Sequence, residues 1–454
     1  MRIPASLLLF SLACSAIAGA PDKRFMPADL ARLADVTEPE FAPDGNAVVY
    51  TVTTANLAED KAQSDLWRVG FDGSGRRQLT QTQDHSEWRA QWSGDGERLA
   101  FLSDRRQTDE EEEDATTQVW VMPATGAEAK RLTAFADGVE DFVWSPDGTR
   151  LAVIALDSEF PAGTPKPKNP PPIVTERYQF KEDGADYLGV RRKHLYLFDI
   201  ASGKIQQLTS GAHDEVLPAW SPDGKLITYV TKRGQDPDRH LNFDLYVIEP
   251  RAGASERQLT TFPGSDLDPY WETRPVWSPD STRIAYLRSS EDKWIYYAPW
   301  QLAVVDVASG KQTIPADIDR CFTKLRWSPD GKSIYALIEQ SLVTHLSRID
   351  LANGQVTDIT HGDRFDYDLD VSNDGRIVVL GGDDHQPYDI SAAGTDGLRA
   401  LGRHNEWLAE KKLAEVEKLR FRNKEGIELE GLLVKPVGYE QGKRYPTLLR
   451  LHGG

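Results

Sequence analysis

A five-residue turn motif recurs seven times along this chain, and a repeat of that period constrains the fold more than any other feature. Its fullest copies are Trp144-Ser145-Pro146-Asp147-Gly148, Trp220-Ser221-Pro222-Asp223-Gly224 and Trp327-Ser328-Pro329-Asp330-Gly331. The variants are Phe41-Ala42-Pro43-Asp44-Gly45, Trp92-Ser93-Gly94-Asp95-Gly96, Trp277-Ser278-Pro279-Asp280-Ser281 and Val371-Ser372-Asn373-Asp374-Gly375. Successive aspartates are 51, 52, 76, 57, 50 and 44 residues apart. Serine first, proline with φ already set second, and glycine free to take positive φ fourth describe a type I turn that closes a hairpin.

Each turn leads into a nearly continuous apolar run such as Leu151-Ala152-Val153-Ile154 or Leu226-Ile227-Thr228-Tyr229-Val230, the pattern of a strand buried on both faces. A third run follows, such as Leu195-Tyr196-Leu197-Phe198-Asp199, then a tight turn and a strand ending in a Gln207-Leu208-Thr209 signature. The same ending is legible at Gln78-Leu79-Thr80, Arg131-Leu132-Thr133, Gln258-Leu259-Thr260 and Asp358-Ile359-Thr360. Four antiparallel strands per repeat predict an all-β chain, a seven-bladed β-propeller. The degenerate ending at Thr313-Ile314-Pro315 leaves six or eight blades open. Each tryptophan of the motif is expected at the end of an innermost strand.

With 454 residues and 39% hydrophobic content, the chain has material for a large core and more than one domain. Residues 1–20 combine Arg2, an apolar Leu7-Leu8-Leu9-Phe10 core and small residues, the pattern of a secretory signal peptide cleaved near Ala18 or Ala20. Cys321 is then the single cysteine of the mature chain, so no internal disulfide forms and the thiol is expected in the core. Export without disulfides points to a periplasmic or secreted bacterial protein, touching the membrane only through its signal peptide. A net charge of -18 argues against nucleic acid as a partner. The acidic run Asp109 to Asp114 lacks calcium-loop spacing and reads as a solvated loop. No cofactor and no metal centre is expected.

After Arg403 the turn motif ceases. A polar helix is expected from Glu406 to Val416, then strands at Val416 to Arg422, Ile427 to Lys435 and Tyr445 to Leu451, the last running into His452-Gly453-Gly454. A strand that ends in His-Gly-Gly matches an oxyanion loop, where freed backbone N–H groups stabilise developing negative charge. On these residues, the turn motifs and the insertion Pro172 to Lys181, the chain resembles the N-terminal two-thirds of a prolyl oligopeptidase family serine peptidase. The similarity is to the acylaminoacyl peptidase and dipeptidyl aminopeptidase branch. The resemblance implies a propeller that caps a C-terminal α/β-hydrolase domain and filters peptide substrates by size. It implies that Gly454, with Gly453 and His452, belongs to the oxyanion loop. The serine, aspartate and histidine of a triad would follow in the chain, and no Gly-x-Ser-x-Gly occurs within these residues, so they are expected to be inactive alone. The domains expected are a signal peptide (1–20), an N-terminal helical segment (21–36), the propeller (37–403) and the truncated start of the α/β-hydrolase (404–454).

Chain geometry puts the fourth-to-first and second-to-third strand connections of every blade on one face, toward the hydrolase. Long loops there, with Glu176, Arg177, Tyr178 and Tyr187 in one, Asp266 to Glu272 in another and the aromatics Trp294 to Trp300 in a third, are candidates for peptide binding or for packing on the scaffold. Acids before the inner strands, Glu87, Asp141, Glu215, Asp266, Asp268 and Asp366 among them, are read either as a clamp for peptide amino termini, with Glu215 and Asp268 foremost, or as solvated strand starts. A stand-alone periplasmic binding propeller of the TolB type is the alternative to a peptidase.

Overall fold

The computed structural model describes residues 23–106, 116–158, 172–182, 186–270 and 273–451. The expected signal peptide, the acidic run, Trp271, Glu272 and the His452-Gly453-Gly454 motif lie outside the described residues.

Asp35–Phe41, Ala47–Asn56, Lys61–Gly70 and Arg77–Gln78 pair in chain order into a four-stranded antiparallel meander. Meanders of the same order begin at Glu87–Trp92, Asp141–Trp144, Glu215–Trp220 and Val276–Trp277. The strands from Phe322–Trp327 to Gly397–Ala400 form two further meanders, which touch through one parallel pair, Thr344 opposite Phe365. Trp92, Trp144, Trp220, Trp277 and Trp327 each end the first strand of a meander, as the spacing predicts.

The turn chemistry is the one expected. Ser145 Oγ donates to Asp147 Oδ1 at 2.6 Å and accepts the Arg150 N–H at 2.9 Å, while the Gly148 N–H returns to the Ser145 carbonyl at 2.9 Å. The middles of the second strands are apolar and buried because meanders stack face to face. Leu151 and Val153 of Arg150–Leu156 pack with Ala100 and Leu102 of the preceding meander, and Ala152 and Ile154 with Ile227 and Tyr229 of the next.

The motif tryptophans also join neighbours. Each indole N–H reaches the carbonyl of the preceding inner strand: Trp144 to Gln91 at 3.3 Å, Trp220 to Val143 at 3.3 Å, Trp277 to Ala219 at 3.1 Å and Trp327 to Val276 at 2.9 Å. The last and first meanders carry Val371 and Phe41 at this position, and Asp370 substitutes. It accepts from Arg326 Nε at 2.8 Å on one side and from the Phe41 N–H at 2.8 Å on the other. Val36, Val48 and Tyr50 of the first meander share one core with Val378, Leu380 and Ile390 of the last, so this packing and polar contacts such as the Asp370 bond close the ring.

The flanking segments are less helical than expected. A 3-10 turn at Pro27–Arg32 replaces the N-terminal helix and the first strand starts at Asp35; a second 3-10 turn, Glu406–Glu410, replaces the helix to Val416. These segments bind each other instead. Arg24 forms a parallel bridge with Lys412, Lys411 Nζ lies 2.6 Å from Asp29 Oδ2, and Phe25 stacks on Trp407. The Asn405 amide holds the Ala34 backbone through both its N–H and its carbonyl, at 3.0 and 2.8 Å. Two of the expected strands form, as Val416–Arg422 and Glu428–Val434, and pair as a hairpin. The third expected strand, over Tyr445 to Leu451, does not form: it has no partner edge, and Leu448 is 98% exposed.

Candidate functional site

The inner strands surround a channel with a volume of about 670 Å³. Its wall has a register: the residue three positions before the first residue of each turn motif is Glu38, Arg89, Asp141, Leu217, Arg274, Lys324 or Asp368. Inner strands carry β-bulges at this position, and Glu38, Arg89, Leu217 and Lys324 adopt positive φ there, between 48° and 56°. The bulge carries these side chains into the channel lining, at a backbone cost that non-glycine residues accept rarely.

Three acids and three bases occupy this register, and two of the acids, Glu38 and Asp141, are tied to its arginines. Arg274 Nη2 lies 2.8 Å from Asp141 Oδ2, and Arg89 Nε lies 3.4 Å from Asp141 Oδ1. Glu38 Oε2 accepts the Arg89 N–H at 2.7 Å and the Thr51 hydroxyl at 2.9 Å. One residue before the motifs, Glu40 and Arg326 add a second layer. Burial, reinforced by Asp370, pushes the Glu40 carboxyl up to about 8. Burial likewise raises Asp368 and lowers Arg274. A wall of paired charges suits passage of polar, hydrated chains rather than retention of an apolar ligand.

Reading the sequence for function missed this wall. Its signal was available as a column of charged residues in fixed register with the turn motif. Of the acids singled out in the sequence, Asp141 belongs to this wall, and Glu215 and Asp268 occupy other positions. Glu215 is fully buried and accepts from the Thr209 hydroxyl at 2.7 Å and from Arg233 Nη2 at 3.1 Å; burial pushes its carboxyl up to about 8. Asp268 is 3% exposed and accepts the N–H groups of Tyr270 and Thr273, both at 3.1 Å. Glu87, Asp141, Asp266 and Asp366 are buried too. Both expectations for these acids are therefore corrected. A clamp for amino termini needs an open carboxylate, and a solvated loop acid would not be buried.

The buried acids explain the Gln-Leu-Thr signature. The ladder ends before the leucine, which enters a core, as Leu208 and Leu259 do. The threonine hydroxyl caps the third strand: Thr80 accepts from the Leu66 N–H, Thr209 from Leu195 and Thr260 from Leu245, each at 2.9 Å. At Thr209 and Thr360 it also donates to the acid that opens the next meander, Glu215 or Asp366.

In the long insertion, Arg177 is tied down by Asp238, with Nε and Nη2 each 2.8 Å from a carboxylate oxygen. Glu176 is exposed, and Tyr178 is exposed beneath the Arg239 guanidinium, 4.1 Å from the ring centre. Ile295 and Trp300 anchor the aromatic loop in the core, leaving Trp294, Tyr296, Tyr297 and the nearby Tyr270 on the surface. The C-terminal hairpin sits on this face: Arg420 Nη2 donates to Ser341 Oγ at 3.1 Å in a second-to-third connection, and Lys418 Nζ lies 2.5 Å from Asp363 in a fourth-to-first one. Cys321 is half-buried against the core, and its thiol is pushed up to about 11 by burial.

No protein-family profile matches the chain. Dipeptidyl-peptidase 5 of Porphyromonas gingivalis is 27% identical over 450 residues, covering 93% of this chain and 62% of that protein. The chain thus spans about three-fifths of that relative's length. An acylaminoacyl peptidase solved with Z-Gly-Gly-Phe-chloromethyl ketone shares the fold with a TM-score of 0.72 at 19% identity, over 92% of this chain and 60% of that one. The β-propeller domain of the Trilobed protease from Pyrococcus furiosus matches with a TM-score of 0.57 at 18% identity, over 83% of this chain and 98% of that domain. The fold is that of a β-propeller, and the resemblance to dipeptidyl and acylaminoacyl peptidases holds in sequence and in fold.

Proposed function

We propose that this chain is the propeller portion, with seven blades, of a secreted prolyl oligopeptidase family serine peptidase that hydrolyses short peptides from the amino terminus. In this reading the propeller gates access to a hydrolase domain to which residues 416–434 lead. The observation that carries it is the seat of that hairpin. It lies on the face built from the second-to-third and fourth-to-first connections, where the long aromatic loops also stand. A stand-alone TolB-type propeller has no use for such a hairpin, and the relative's name speaks against that reading.

In this role the charged wall admits extended, solvated peptides and rejects folded chains by width. The exposed aromatics Tyr178, Tyr270 and Tyr297 offer apolar contact to substrate side chains. The oxyanion loop at His452, Gly453 and Gly454 remains part of the proposal.

The test is a fluorophosphonate probe applied to two proteins: residues 21–454, and the product of the same reading frame continued beyond Gly454. The longer product should be labelled and should cleave dipeptide anilides, and the shorter one should do neither. Replacing Arg274 and Lys324 by alanine in the longer product should raise cleavage of longer peptides relative to dipeptide anilides. A continued frame without a labelled serine would overturn the peptidase reading. An unchanged length preference would overturn the gating role.

A further inference from the structure

Two histidines and a glutamate meet between the third and fourth meanders. His194, the second residue of Lys193–Asp199, is buried, and its Nδ1 lies 2.8 Å from Asp157 Oδ1. That carboxylate sets the tautomer, so the proton is on Nδ1 and the lone pair is on Nε2. His194 Nε2 has no hydrogen-bond partner and points to Glu215 Oε2, 3.9 Å away. His213 Nε2, also without a hydrogen-bond partner, lies 3.3 Å from Glu215 Oε1. One ligand atom from each of the three residues fits within a span of 4.8 Å.

We propose that His194 Nε2, His213 Nε2 and Glu215 bind a divalent transition-metal ion of the zinc class, which ties the start of Lys193–Asp199 to the start of Glu215–Trp220. Two imidazoles and one carboxylate are a donor set that zinc takes in four-coordinate sites, with bonds near 2.0–2.2 Å. Asp157 behind His194 is the outer carboxylate that orients and strengthens a histidine ligand. Bonds of that length hold tetrahedral ligand atoms about 3.3 Å apart, so the 4.8 Å span would close by about 1.5 Å. The backbone has made room for His213: Gly211 has φ +137°, and a Cβ there would lie 2.3 Å from His213 Cε1.

The groups around the cluster define the competition. Arg233 Nη2 is 3.1 Å from Glu215 Oε1, and the ion would displace it. Arg233 keeps a second anion, Glu256, with which it already pairs. Thr209 donates to Glu215 Oε2, and Asp214 is engaged by Arg192 at 3.0 Å. In the second meander the equivalent acid, Glu87, pairs with Arg105 at 2.7 Å and has no such pair of histidines; in the last, Asp366 pairs with Arg364 at 2.5 Å, and of the histidine pair His345 and His361 the first has its Nε2 2.8 Å from the Gly362 carbonyl. At Glu87 an acid and an arginine therefore suffice for the fold, whereas at Glu215 two histidine nitrogens stand without a hydrogen-bond partner.

The proposal is independent of the peptidase reading and is tested on the untagged chain, with Zn²⁺ by calorimetry and Co²⁺ by visible spectroscopy. One ion should bind, giving the intense d–d bands of four-coordinate Co²⁺, bleached by added Zn²⁺. His213→Ala removes the least buried ligand and should abolish the bands while the far-ultraviolet circular dichroism is kept. Glu215→Gln, which preserves an acceptor for Thr209, should abolish them as well. Arg233→Ala should bind Zn²⁺ more tightly than the parent, whereas His240→Ala should bind it equally. Absence of a stoichiometric ion in the parent, or bands that survive in His213→Ala, would overturn the site.

Discussion

Glu40 shows how one side chain in the channel carries a pH signature. Folded, its carboxyl keeps a proton up to about 8, through burial and the nearby Asp370, opposed by the Trp92 N–H, Arg326 and Arg274; its ordinary value is 4.5. Between those values the folded state binds the extra proton, so the contribution to stability falls as pH rises. Glu40→Gln removes the titration and keeps a carbonyl for the Trp92 N–H, which the carboxylate accepts at 2.9 Å. The variant should melt higher than the parent at pH 8 and equally near pH 4.5. The gain should be about 1 kcal/mol, below the full linkage value because the side chain is partly open to the channel. Melting temperatures across that pH range decide it, and a difference independent of pH would show that Glu40 acts by packing alone.

At the scale of the meander, two hydrogen bonds recur and carry different duties. The threonine after the outer strand serves its own meander, and the motif indole serves the neighbour. Thr133 accepts the Val119 N–H at 2.9 Å and donates to Gln118 Oε1 at 2.8 Å, all three groups buried. Thr133→Val keeps the shape and strands the Val119 N–H, while Gln118 Oε1 keeps the Phe135 N–H at 3.0 Å, so it should cost roughly 1–3 kcal/mol in urea unfolding. Trp327→Phe removes the 2.9 Å bond to Val276 between meanders and should cost about 1 kcal/mol for that bond, with some lost packing. The two losses should add, since the residues share no partner. The leucine and threonine of the signature were legible in the sequence, but their duties were not, because both act on residues some fourteen positions away, as Thr209 does on Leu195.

The whole molecule corrects where the propeller ends. The turn motif and the repeat spacing place that end near Arg403, but the seal between the chain's two flanks lies beyond it. Asn405 grips Ala34, Leu408 is buried, and Lys411 meets Asp29. Residues 23–412 should therefore fold with the stability of the untrimmed chain and, without the exposed leucines at 448, 449 and 451, should aggregate less. Residues 23–403 should melt several degrees lower, having lost the Asn405 grip on the seam between first and last meanders. Differential scanning calorimetry with light scattering separates these outcomes, and equal melting of the two trimmed chains would show that the flanks do not seal the ring.

What the sequence determined by itself is everything local and periodic. The turn chemistry of Ser145 to Gly148, the order of strands, the place of each motif tryptophan and the buried second strands follow from spacings of a few residues, where φ preferences and alternation decide the outcome. The resemblance to peptidases rested on motifs of the same kind. Only the tertiary structure decided which polar groups face each other. Glu215 and Asp268 look like rim acids until threonine, arginine and backbone N–H groups from other strands surround them. Arg274 and Asp141, 133 residues apart, become a channel wall only when the ring closes. Closure sets such distances, and a polar group's accessibility and charge state depend on what lies within a few ångströms of it in space rather than along the chain.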